Sequence, residues 1–237
     1  MAVQSDIELS IVLPAYHESE SLASLLPALR IEAERLTPSF EILVVDSLAP
    51  FDDSEQICER NGALHIRRGG GERYGDAVRT GISRARGRWL LFMDADGSHP
   101  PSIVLSLWER RNDGDVIIGS RYVKGGSTGN SSLLVGMSLL LNVIFRVVFS
   151  LPCRDVTNSL RLYRGDAVRE LTLQSDNFDI LQEILIKIAA RRPRPSIIEV
   201  PMGFLERTAG ESKRKLIPFI IAYLRTIARL WRYRKAS

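Results

Sequence analysis

The sequence predicts an α/β protein with a mostly parallel sheet and helices on both faces. Three observations predict it. Apolar strand-like runs alternate with helix-period segments through the first half of the chain. The strand runs are apolar on both of their alternating faces, as buried parallel strands are. Polar or small residues follow each run, and in open α/β sheets ligands sit beyond the carboxyl ends of the strands.

The elements follow in order. Ile7 to Leu13 is a short β-branched run and reads as strand one. Ser19 to Leu36 has helical spacing, with Leu22, Leu25, Leu26, Leu29 and Ala33 on one face. Phe40 to Val45 is strand two, Asp53 to Arg60 a helix, and Ala63 to Ile66 strand three. Tyr74 to Arg86 is a helix, Arg88 to Met93 strand four, Pro100 to Arg111 a helix, and Val116 to Ile118 strand five. This α/β part runs to about Tyr122 and continues into a more helical half. The expected division is a domain over residues 1–215 and an amphipathic basic helix over residues 216–237.

The chain has 237 residues, 45% of them hydrophobic, which suits a single core. No basic-then-apolar leader opens the sequence, so a cytoplasmic setting is the expectation. Cys58 and Cys153 are too few for a disulfide framework and lack metal-ligand spacing. The net charge of +4 is uneven: from Phe204 onward nine Lys/Arg face only Glu206 and Glu211, leaving the rest of the chain slightly acidic. A basic tail implies an anionic partner or a solvated face. Because that tail is also apolar, nucleic acid is disfavoured as the partner.

The strongest chemical signal is Asp94-Ala95-Asp96 at the mouth of strand four. Residues two apart in an extended segment share a side, so both carboxylates can face one cation. Oxygen-only ligands suit Mg²⁺ or Mn²⁺ sharing its shell with substrate phosphates. The competing reading is a turn, since Asp-Gly and Pro-Pro are adjacent. Gly69-Gly70-Gly71 fits neither a Walker A nor a dinucleotide fingerprint. Gly75 and Asp76 open a helix where a ligand could approach the backbone. Asp46, Tyr16 and Glu18 could line a nucleoside pocket, or serve as caps and surface groups.

Leu13-Pro14-Ala15-Tyr16-His17-Glu18, Val44-Val45-Asp46 and Met93-Asp94-Ala95-Asp96-Gly97-Ser98-His99-Pro100-Pro101 resemble family-2 glycosyltransferases of the GT-A fold. Gly119-Ser120-Arg121-Tyr122, the run Asp155 to Tyr163 and Glu199-Val200-Pro201 resemble the polyprenol-phosphate (dolichol-phosphate) mannose synthases among them. So do Phe204, Arg207, Gly210, Ser212 and Lys213. The resemblance spans residues 8 to 215. It implies that Pro14, Tyr16, Glu18 and Asp46 line a nucleoside pocket, with Gly75 and Asp76 alongside. Asp94 and Asp96 would hold Mg²⁺ or Mn²⁺ and the diphosphate. Arg121, Arg207 and Lys213 would meet phosphate charge. Asp179 and Glu183, one helical turn apart, stand where many members place a base, or else serve as a solvated helix face or a structural cap. The chain departs from the family pattern at Ser47, His17, Ser98 and Asn158-Ser159-Leu160.

Two apolar segments bear on the acceptor. Between Ser131 and Leu151, Ser138, Asn142, Arg146 and Ser150 recur every four residues as one polar stripe. A spanning helix seldom keeps Arg and Asn in so short a run. From Leu216 to Lys235, Arg225, Arg229 and Arg232 share a face while Phe219, Ile220, Tyr223 and Trp231 fill much of the rest. These are interfacial helices on the cytoplasmic face of a membrane, or else core or homo-oligomer contacts. The leading expectation is an inverting transfer from a nucleotide-diphosphate sugar, GDP-mannose or a UDP-hexose, to a polyprenyl phosphate. The alternative is transfer to a sugar hydroxyl of a glycan, which requires a carboxylate base.

Overall fold

In the computed structural model, residues 7–191, 197–205 and 216–236 are described, the last stretch partly by backbone alone. A seven-stranded sheet forms the centre, in the order β3-β2-β1-β4-β7-β5-β8. Its strands are β1 (Leu9–Pro14), β2 (Phe40–Asp46), β3 (Leu64–Arg67), β4 (Trp89–Phe92), β5 (Val116–Ser120), β7 (Arg161–Arg164) and β8 (Ile197–Pro201). A two-stranded ribbon pairs β6 (Ser127–Thr128) with β9 (Gly203–Phe204). The five expected strands are all present and the sheet is mostly parallel. The exception is β7, antiparallel to both β4 and β5, with Arg161 opposite Phe92 and Ile118.

Alternation along the strands builds two cores. Leu9, Ile11 and Leu13 of β1 join Ile42 and Val44 of β2 on one face, beneath α1 (Ser19–Leu36), α2 (Ser54–Arg60) and α4 (Ile103–Glu109). Val12, Leu43 and Val45 point to the other face, packed by α3 (Tyr74–Arg84), α6 (Gly165–Arg169) and α7 (Ile180–Arg191). α1 occupies the span its periodicity predicts and buries all five expected apolar residues. α4 is shorter than expected, because Pro100 to Ser102 form a turn ahead of it. Cys58 and Cys153 are free and buried, and burial pushes each thiol up to about 12.

The last two helices are α5 (Ser132–Phe149) and α8 (Leu216–Ala236). α8 is part of the core rather than a detached tail: Tyr223 and Leu230 are buried within the α3–α7 face. Trp231 stays about half exposed, whereas the side chains of Phe219 and Ile220 lie outside the described residues. α5 turns the first half of its polar stripe, Ser138 and Asn142, inward, while Arg146 and Ser150 are exposed. Asn142 is buried and its Oδ1 accepts the Val156 N–H at 2.8 Å, while Ser138 Oγ meets Thr157 Oγ1 at 2.8 Å. Most of its leucines and valines face outward, Leu133 at 72% and Val147 at 75% exposure, while Leu141 packs against the core.

Candidate active site

Strand order reverses between β1 and β4, and the loops leaving those two strands carry the Pro14–Glu18 and Asp94–His99 segments. That is the crevice where open α/β sheets bind ligands. Pro14 ends β1 in register with Val45. Tyr16 is partly exposed and meets the rings of His17 and Phe51 edge-on, while His17 and Phe51 stack at 4.3 Å between centroids. His17 has a φ of 58°, a left-handed conformation that is uncommon outside glycine and recurs at ligand-binding turns. Glu18 precedes α1, and its carbonyl accepts the Leu22 N–H.

Asp46 closes β2 as a buried carboxylate. Its Oδ1 accepts the Ser47 N–H at 2.7 Å, and its Oδ2 lies 3.2 Å from His65 Nε2. Below it lies Arg68, a buried side chain that motif reading missed. Its guanidinium donates to the carbonyls of Asp46 at 3.1 Å and Glu72 at 3.0 Å, and to that of Ala15. One arginine thus ties together the loops that leave β1, β2 and β3. Carbonyl recognition of this kind leaves no mark on the partner residues, so no sequence signal pointed to it.

Gly75 and Asp76 serve the loop at 174–176. The Gly75 N–H donates to the Asp176 carbonyl at 2.7 Å, and a Cβ on Gly75 would stand 2.3 Å from the Ser175 carbonyl oxygen. The expected close approach to a backbone is real, but the backbone is the protein's own. Asp76 accepts from the Arg73 N–H at 3.0 Å and from Arg79 at 2.7 Å. Burial raises its carboxyl, but the Arg79 guanidinium and the Arg73 N–H outweigh that and hold it below its ordinary range.

The Asp94–Asp96 segment bends instead of running extended, with Gly97 at a φ of 75°. Asp96 is buried, and its Oδ1 accepts from both the N–H (3.1 Å) and the hydroxyl (2.5 Å) of Ser98. The turn reading therefore holds together with the placement of both carboxylates at the mouth of β4. The Asp94 N–H donates to Nδ1 of fully buried His99 at 3.2 Å, and its Oδ2 accepts the Ser159 hydroxyl at 2.7 Å. An accepting Nδ1 requires a neutral ring, and burial lowers the His99 pKa accordingly, against the pull of Asp94 and Asp96. Among the described residues no three His, Cys, Asp or Glu side chains form a metal-binding group. Two carboxylates as the protein's share fit a hard cation that takes its other ligands from phosphates and water.

Arg121, Asp179 and Glu183 each have partners within the protein. Arg121 is occupied within the protein: it grips Asp155 through Nε at 2.8 Å and Nη2 at 2.7 Å, and donates to Thr157 at 2.9 Å. Burial opposes its charge, but the Asp155 carboxylate more than offsets this and raises its pKa. Asp179 and Glu183 are buried ties. Asp179 accepts from the Asn177 N–H and the Thr226 hydroxyl, joining α7 to α8. Glu183 is fully buried, pairs with Lys187 at 2.7 Å and accepts the N–H groups of Gln174 and Ser175. Neither carboxylate is placed as a solvent-facing base. Arg207 and Lys213 lie outside the described residues.

Ser159, which the sequence marks only as a departure from the family pattern, is delivered by the loop entering β7. Fully buried Arg161 donates to the carbonyls of Asn158 at 2.8 Å, Val156 at 2.7 Å and Leu181 at 2.6 Å, fixing that loop.

Comparison with known proteins agrees with this architecture. Residues 10–172 match the profile of glycosyl transferase family 2. A dolichol-phosphate mannosyltransferase of Pyrococcus furiosus is 32% identical over 96% of this chain and 64% of its own length. The chain thus spans somewhat under two thirds of that relative. An undecaprenyl-phosphate mannosyltransferase of Micrococcus luteus is 32% identical over 85% of each protein. Glucosyl-3-phosphoglycerate synthase of Mycobacterium tuberculosis, solved with Mn²⁺ and UDP-glucose, superimposes with a TM-score of 0.71 at 17% identity, covering 98% of this chain and 80% of that one. At that identity the likeness bears on the fold, which is the GT-A arrangement expected from sequence.

Proposed function

The chain belongs to glycosyl transferase family 2, and on that premise we propose that it transfers a hexosyl group, with inversion, from a nucleotide-diphosphate sugar to a polyprenyl phosphate at a membrane surface. The observation that carries this reading is the reversed orientation of α5. Its outward face is apolar and exposed among the described residues, while Ser138 and Asn142 on its inward side are bonded to the loop that reaches Asp94. A lipid-linked acceptor needs such an apolar surface beside a polar site.

Pro14, Tyr16, Glu18 and Asp46 line the nucleoside end, with Arg68 holding their loops in place. Asp94 and Asp96 hold Mg²⁺ or Mn²⁺, which when bound offsets charge on the diphosphate leaving group. Arg207 and Lys213 are proposed to meet phosphate charge from their loop. A phosphate acceptor is already ionised at neutral pH, so no general base is required. The engagement of Asp179 and Glu183 in structural contacts favours that acceptor over a sugar hydroxyl. Asn142 and Ser138 are bound into the protein, which supports a helix lying on the cytoplasmic face of a bilayer rather than crossing it. By length and hydropathy alone (mean hydropathy 2.1) α5 could do either.

The test offers GDP-mannose and UDP-hexoses with Mn²⁺ to the protein, with undecaprenyl phosphate in vesicles or soluble oligosaccharides as acceptors. Transfer to the lipid phosphate, abolished by EDTA and by Asp96→Asn, is the expected result. Transfer to oligosaccharides alone would overturn the acceptor, and activity untouched by EDTA would overturn the metal.

A further inference from the structure

Asp94 is held at two points. Its N–H donates to Nδ1 of His99 at 3.2 Å, and its Oδ2 accepts the Ser159 hydroxyl at 2.7 Å, from a residue 65 positions away. Ser159 has little freedom of its own. It is buried, it is followed by β7 in the sheet, and Arg161 grips the Val156 and Asn158 carbonyls just ahead of it. The same loop is bolted to α5 by Thr157 and Val156. A short hydroxyl–carboxylate contact made from so rigid a loop fixes the rotamer of the carboxylate and commits one oxygen. Groups that orient a metal-binding carboxylate set its affinity for the ion.

We propose that Ser159 is a positioning residue for the divalent cation: by binding Asp94 Oδ2 it presets the carboxylate for the ion. This rests on the reading that Asp94 and Asp96 bind a divalent metal. The serine does not touch the ion or the donor. It acts through Asp94, and its hydroxyl is the part that matters.

The experiment titrates Mn²⁺ into the full-length protein by electron paramagnetic resonance, with UDP and GDP tried separately as the accompanying diphosphate. Ser159→Ala and Ser159→Gly, which add no atoms to the buried site, are expected to weaken Mn²⁺ binding about 10-fold, the low end for losing such a support. Ser159→Thr keeps the hydroxyl and is expected to restore most of the affinity. In an Asp94→Asn background, Ser159→Ala is expected to change Mn²⁺ affinity by less than about 2-fold, since the partner is already gone. Wild-type affinity in both Ser159→Ala and Ser159→Gly overturns the proposal, as does an equal loss in the Asp94→Asn background. If Asp94→Asn and Asp96→Asn themselves bind Mn²⁺ as the wild type does, the metal reading fails first, and the two failures are told apart.

Discussion

α1 and α5 are both 18-residue helices, and they are mounted the opposite way round. α1 presses Leu22, Leu25, Leu26 and Leu29 into the sheet and shows charge to water. α5 buries Asn142, leaves Leu133, Leu140, Val143 and Val147 outside, and tucks in only Phe145 and Phe149 at its end. The first helix is seated by apolar side chains along its whole length, the second by Phe145 and Phe149 at one end and by the hydrogen bonds of Ser138 and Asn142 ahead of them. The difference teaches that an amphipathic stripe carries no sign: periodicity says that two faces differ, and the neighbouring chain decides which is inside. Beside α5 that neighbour is the irregular segment 154–159, whose backbone N–H groups need acceptors. An asparagine face meets that need and a leucine face cannot.

The comparison is broken most severely at the outer face of α5. Leu140→Asp with Val147→Asp is expected to abolish flotation with anionic vesicles, because each apolar side chain of this size contributes about 1.5–3 kcal/mol when removed from water. Thermal unfolding should be unchanged by the pair, and a large fall in the midpoint would mean that the outer face packs within the protein. Next in size is a matched pair of truncations followed by urea unfolding. Leu26→Ala in α1 should cost about 2–5 kcal/mol, whereas Leu140→Ala in α5 should stay within about 0.5 kcal/mol. Equal losses would erase the contrast.

Asn142→Ala sharpens it from the inside. The Val156 N–H would lose its acceptor while buried, at a cost of about 1–3 kcal/mol. Restoration by Asn142→Asp would show that the acceptor matters rather than the packing.

The smallest effect concerns α8, whose Arg229 lies 3.5 Å from Glu183. Burial raises the Glu183 carboxyl, but Lys187 and the Ser175 N–H outweigh it and lower its pKa below the ordinary 4.5. Stability from this group is therefore complete above about pH 4.5 and is lost as pH falls through the lower folded value. Urea midpoints from pH 7 to pH 3 should decline less steeply in Glu183→Gln than in the wild type, and parallel curves would remove Glu183 from the account.

Much of the donor half was legible in the sequence. The strands β1 to β5 and the helices α1 to α3 announced themselves through period and apolar runs, and Asp94-Ala95-Asp96 stood where β4 ends. The rest hid for physical reasons. β7 is four residues, two of them arginine, so it has no apolar run to read. Arg68 and Arg161 bind carbonyls, which every residue possesses. Ser159 meets Asp94 only because β7 enters the sheet at the edge where β4 leaves it. Asp179 and Glu183, one helical turn apart, read as a base with its neighbour; only the fold shows that backbone N–H groups, Lys187 and α8 already claim them.

The placement of β7 also has a consequence for the order of synthesis. β1 to β4 can pair as they emerge from the ribosome, since β2, β3 and β4 each find a neighbour already made. β5 has none: both of its partners, β7 and β8, are translated after it, with α5 in between. An apolar β5 and the outward leucines of α5 must therefore wait together for the remainder of the chain, an interval in which unpaired strands invite aggregation. A nascent chain that met a lipid surface or a chaperone during that wait would have its most hazardous surfaces covered before its sheet was complete.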